Sequence, residues 1–162
     1  LHTLTDFERI SDHALNIAES AREIKEKEIT FTPGAIHEMD VMMSALERIM
    51  HITVSSFTDN DLDKAYLVEP LEEVIDELCE KMRFNHVDRL TKGECTILNG
   101  YIFNDLIGNY ERISDHCSNT AATLIEMEEG IFGLHTYTNE VKDSHTHNFE
   151  ENYKFFSETF SL

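Results

Sequence analysis

Apolar residues recur at three- and four-residue steps along almost all of this 162-residue chain, and no segment shows the convincing two-residue alternation of a half-buried strand. The pattern predicts an all-α protein, an antiparallel helical bundle. A first helix is expected over about Thr3 to Lys27, with Leu4, Phe7, Ile10, Ala14, Ile17, Ala21 and Ile24 on one stripe. Thr32 as N-cap and Pro33 at the first helical position open a second, which carries Ile36, Met39, Met43, Leu46, Ile49 and Met50 to about Phe57. The polar turn "TDNDLD" offers Thr58 or Asp59 as cap for a third helix reaching about Leu90, with a break near Val68 and Glu69 forced by Pro70. Thr91 and Glu94 in "TKGE" stand at capping-box spacing and predict a fourth, longest helix that stops at Gly130. Beyond Gly133, "HTH" (His145, His147) reads as a polar loop, and Phe149, Tyr153, Phe156 and Phe160 predict a short docking helix.

Charge narrows the partners. Thirteen Lys and Arg against 32 Asp and Glu leave a formal charge of −19, which repels nucleic acid and anionic lipid. Cys79, Cys95 and Cys117 have no CxxC spacing and are odd in number, which favours a reducing compartment. No run approaches the roughly 18 apolar residues of a membrane span. The stripe of the first helix is already running at Leu1 with no cap ahead of it, so a preceding segment is expected, and with it a second chain covering apolar surface.

One phrase occurs twice. "FERISDHALNIA" from Phe7 and "YERISDHCSNTA" from Tyr110 share eight of twelve residues at a constant offset of 103. Residues four apart lie on one helix face, so Glu8, Asp12 and Asn16 form a ladder and Glu111, Asp115 and Asn119 its copy. Glu72 and Asp76 supply a third pair on the helix that a short turn makes the neighbour of the second copy. Clustered carboxylates suit hard or borderline cations: Fe(III), Mn(II), Mg(II), Ca(II) or Zn(II). The alternative is a solvated acidic stripe with Arg9 and Arg112 as surface partners. None of the nine histidines follows a Glu at the Glu-x-x-His spacing of ferritin-like di-iron bundles, so His13 and His116 are candidates for support behind the ligands, with Asn16 and Asn119.

"DFERISDHALNIAE" and "NDLIGNYERISDHCSNTA" resemble the two signature helices of PhoU domains, in particular the form at the C-terminus of bacterial sodium/phosphate cotransporter-related proteins. The resemblance covers residues 1 to about 129 and implies one complete three-helix repeat (32–129) preceded by the last helix of another (1–28), with a tail over 130–162. It implies metal ions, as iron or zinc clusters, on Glu72, Asp76, Glu111 and Asp115, with Glu8 and Asp12 lacking their partner helices. It further implies a cytoplasmic domain at the inner face of the membrane that regulates phosphate transport, with a membrane transporter domain or phosphate-sensing machinery as partner. Ser11 and Ser114 stand where the family usually has Gly.

The chain shows no nucleophile beside a base and no glycine-rich phosphate cradle, so a non-catalytic regulator is expected. A carboxylate-bridged metal-dependent hydrolase and a metal-free acidic scaffold are the alternatives.

Overall fold

The computed structural model describes residues 2–132 and 139–162, and every regular element among them is helical. In order these are α1 (His2–Glu26), α2 (Pro33–Asp59), the single turn α3 (Leu62–Ala65), α4 (Val68–Thr91), α5 (Ile97–Phe132) and α6 (Asn139–Thr159). Helices α2, α4 and α5 run up, down and up around one core. Helix α1 lies antiparallel on α5, and α6 packs against α4. No helix among the described residues is long and apolar enough to cross a membrane.

Several boundaries follow local chemistry. Thr32 accepts from the Ala35 amide at 3.2 Å and Pro33 opens α2, as its fixed φ favours. The expected break at Pro70 takes the form of a division: α3 ends at Ala65, and α4 begins at Val68, placing Pro70 in the first turn, where a missing N–H costs nothing. Neither Thr58 nor Asp59 caps the third segment. Helix α2 continues through both to Asn60, whose φ of 52° closes it in the left-handed conformation, and Asp61 caps α3 through the Lys64 amide. Thr91 does not open the fourth helix either: it ends α4, Gly93 turns at φ +71°, and Thr96 accepts the Asn99 amide at the start of α5. Helix α5 runs past the expected stop at Gly130 to Phe132. The expected short docking helix is 21 residues long and includes positions 145 and 147, read from sequence as a loop; their side chains lie outside the described residues.

Met42, Ile49, Leu71, Ile75, Met82, Ile107 and Phe103 are 0–1 % exposed and fill the space among α2, α4 and α5. Each such side chain contributes about 1.5–3 kcal/mol by leaving water. Close approach of α4 and α5 depends on Gly100, where a Cβ would stand 2.5 Å from the buried His86 Nε2. Burial and the neighbouring Arg89 guanidinium hold His86 below its usual value. The stripe on α1 is about half covered: Ile10 is buried and Phe7, Ile17 and Ile24 are half-buried, while Leu4, Ala14 and Ala21 are exposed.

One ion pair sits inside this core. Glu38 of α2 accepts two hydrogen bonds from Arg89 of α4, both at 2.8 Å, and a third from Asn85 at 2.9 Å. The guanidinium also stacks over Phe103 at 5.2 Å. Removing one partner strands the other charge away from water. Arg89→Ala should therefore lower unfolding free energy by about 3 kcal/mol in urea titration, and a Glu38→Leu/Arg89→Met pair should recover most of that loss.

Candidate metal centre

Helix α4 runs antiparallel to α5, and its residues at steps of about one turn meet the second copy of the repeated phrase. Glu72 and Asp76 of α4 and Asp115 of α5 each present a carboxylate oxygen within 4.8 Å of the other two, all half-buried. Glu111 lies one turn from Asp115 on the same seam, but its carboxylate is held by the guanidinium of Arg83. Arg83 is seven residues after Asp76, hence on the same face of α4, and the sequence reading did not single it out. Glu69, also unassigned from sequence, accepts a hydrogen bond from Ser118 one turn further along.

Three carboxylates with one adjacent cation form an unbalanced set. Burial, then the neighbouring charges of Asp76, Glu69 and Asp115, pushes Glu72 up to about 7. Burial, then Asp115 and Glu111, pushes Asp76 up to about 6, against a smaller opposing effect of Arg83. The Asp76 Oδ1 atom is buried with no hydrogen-bond partner among the described residues. An orphaned buried oxygen, two carboxyls that resist ionisation and an all-oxygen donor set fit a hard multivalent cation.

The first copy of the phrase goes elsewhere. Glu8 and Asp12 are exposed on α1 and are not among the three clustered carboxylates; among the described residues Asp12 has only the surface contact with Arg9 at 3.8 Å. His13 and His116 stack on each other, ring centres 5.9 Å apart and planes 24° apart. His13 Nδ1 meets Asn109 Oδ1 at 2.9 Å, and His116 Nδ1 meets Asp6 Oδ1 at 2.9 Å. Asp6 and Asn109 are themselves 103 positions apart, so the two contacts are mates about a local two-fold axis between α1 and α5. Asn16 donates to the same Asn109 oxygen at 3.1 Å. Asn119 is exposed, and its backbone carbonyl accepts from Thr123. Repetition of the phrase thus serves two ends in this chain: its histidines join α1 to α5, and only its second carboxylate pair meets α4.

Ser114, at a usual glycine position, is fully buried and its hydroxyl has no partner among the described residues. A buried hydroxyl without a partner is costly, and Ala is the better helix former.

Comparison with known proteins came out as follows. The PhoU domain family matches residues 39–124, more than half of the chain. The chain is 28 % identical over 125 residues to the phosphate-specific transport system accessory protein PhoU homolog 1 of Thermotoga maritima, covering 77 % of this chain and 53 % of that protein. It is 25 % identical over 130 residues to the phosphate-specific transport system accessory protein PhoU homolog of Streptococcus pneumoniae, covering 80 % and 59 %. The chain thus spans little more than half the length of these relatives. No solved structure matches it significantly.

Two predictions follow from the geometry. The raised Glu72 and Asp76 values favour the folded state when protonated, so their contribution is full below the ordinary carboxylate range near pH 4 and is lost as pH rises through 6 to 7. In chelator, wild type should lose stability between pH 5 and pH 8 more steeply than Glu72→Gln, by about 1 kcal/mol after allowing for solvent screening. Ser114→Ala should raise stability by about 1 kcal/mol in chemical denaturation, with metal or without.

Proposed function

The chain belongs to the PhoU domain family, and we propose that within it this chain is a non-catalytic regulatory module of phosphate transport in which Glu72, Asp76 and Asp115 hold a metal ion between α4 and α5. The observation that carries the metal reading is the convergence of three carboxylates from two helices, one with a buried oxygen left unpaired. Support for the transport reading comes from the relatives, both named as accessory proteins of the phosphate-specific transport system.

Bound there, a divalent or trivalent cation supplies charge neutralisation that the protein itself lacks. The residues supply the rest. Asp76 and Glu72 come from consecutive turns of one helix, so a ligand shared with Asp115 fixes the axial register of α4 on α5. Arg83 holds Glu111 at the edge of the cluster, which limits the negative charge facing any cation and leaves Glu111 as a reserve ligand should the pair open. The fine assignment is a cytoplasmic domain beside a sodium/phosphate cotransporter-like membrane domain or the phosphate-sensing machinery, with iron or zinc as the metal. It rests on the resemblance of the two signature helices.

Asp115→Ala tests the proposal. Fe(III), Mn(II) or Zn(II) at about a hundred times its dissociation constant should stabilise wild type by about 2.7 kcal/mol, several degrees in melting temperature. The variant should lose that shift, yet melt no lower than wild type in chelator because one of three repelling groups is gone. Equal metal-induced shifts in both proteins would refute the site. Phosphomonoester turnover by metal-loaded wild type, absent from the variant, would establish the hydrolase instead.

A further inference from the structure

Arg83 is placed to act on the carboxylate cluster as well as to border it. Side chains of a helix lean toward its N-terminus, and the Arg83 side chain accordingly comes within electrostatic reach of Cys79 and Asp76, one and two turns back along α4. Its guanidinium donates to Glu111 of α5 while acting on Asp76 of α4, so a positive charge lies at the junction of the two helices beside the cluster. Arg112 approaches Asp115 as well, at 3.4 Å, but its side chain is 66 % exposed and reaches along its own helix.

A second metal ion would need that same position. Paired ions in carboxylate sites stand about 3.5–4 Å apart and share ligands. With a first ion on Glu72, Asp76 and Asp115, the next carboxylate of the seam on α5 is Glu111, four residues or about 6 Å along the axis from Asp115. An ion shared between Glu111 and Asp76 or Asp115 would have to displace the guanidinium or lie against its charge. Toward the other end of the seam α5 offers the hydroxyl of Ser118 in place of a carboxylate, and it donates to Glu69 at 2.5 Å.

On the premise that Glu72, Asp76 and Asp115 hold a metal ion, we propose that Arg83 is a tethered cation standing in the place of a second ion, so that the α4–α5 site takes a single ion in place of the cluster that the resemblance implies. Arg83 thereby sets how many ions the site accepts, and Glu111 is its counter-charge while the pair is closed. The two side chains are 39 and 36 % exposed, so the pair adds little to folding and can be altered without unfolding the chain.

The probe is Mn(II), added to the full chain and followed by equilibrium dialysis with elemental analysis and by electron paramagnetic resonance. Asp115→Ala sets the background from scattered surface carboxylates. Above that background, wild type should hold about one ion per chain with the spectrum of isolated Mn(II). Glu111→Gln should change its affinity by less than about twofold. Arg83→Gln should take up a second ion and show the exchange-coupled signal of a close pair. That gain should vanish in Arg83→Gln/Glu111→Gln and be absent from Arg83→Lys, which keeps the charge. Melting curves in chelator check that each variant is folded. Two coupled ions in wild type, a single ion in folded Arg83→Gln, or an affinity loss of about tenfold or more in Glu111→Gln would overturn the proposal and leave the three-carboxylate site standing. Wild type with no ion above the Asp115→Ala background would remove the site and the proposal with it.

Discussion

Most of this molecule is arranged around one 36-residue helix that has to be compatible with α1, α2, α3 and α4 at once. At about 1.5 Å per residue α5 is some 54 Å long, and α1, α2 and α4 each lie along part of it. A helix enclosed on three sides must be apolar on most of its circumference, and α5 buries Ile102, Phe103, Leu106, Ile107, Tyr110, Ile113 and Leu124. Most polar side chains on its buried faces are answered by a hydrogen-bond or ion-pair partner, Ser114 being an exception. Asn109 and His116 are answered by α1, and Glu111 by Arg83 of α4. Asp115 is met instead by two further carboxylates, Glu72 and Asp76 of α4.

The two interior charge clusters behave oppositely for a physical reason. Glu38 and Arg89 are buried as a complementary, bidentate pair, so each removes the cost of burying the other. Glu72, Asp76 and Asp115 are only half-buried and carry one sign, so the fold tolerates them by keeping some solvent access and by holding two of the three partly protonated near neutrality. The first arrangement fixes the packing of α2 on α4 under all conditions. The second has no such complement, so charges of one sign face each other where α4 meets α5.

Helix number, type and facing were legible in the sequence because three- and four-residue periodicity runs nearly unbroken from Leu4 to Leu124, and only helices satisfy it. Caps were legible where one candidate stood alone, as at Thr32, and were misread where several competed, as among Thr58, Asp59 and Asp61 or between Thr91 and Thr96. Side chains alone do not say which of two capping geometries the tertiary fold completes. In the site, spacing along a helix was enough to group Glu72 with Asp76 and Glu111 with Asp115, whereas the partnership of Glu111 with Arg83 depends on the register between helices, which spacing does not encode. The contacts of His13 and His116 were missed because their partners, Asp6 and Asn109, differ in type at the position just before the repeated phrase begins. Extending the repeat by one residue would have pointed to them.

The stacked histidines also bear on how the chain reaches this structure. The contacts that fasten α1 join residues 96 and 110 positions apart, whereas Glu111 and Arg83 or Thr32 and Ala35 lie much nearer in sequence. Closing so long a loop costs chain entropy before any contact offsets it. Helices α2, α4 and α5 can therefore assemble first and form a template, on which α1 settles last through the stacked histidines, hydrogen bonds that tie His13, Asn16, Ser20 and Asp6 to α5, and an apolar stripe. By the same ordering, release of α1 would expose Ile10 and the inner faces of His116 and Asn109 while the α4–α5 carboxylates stay together.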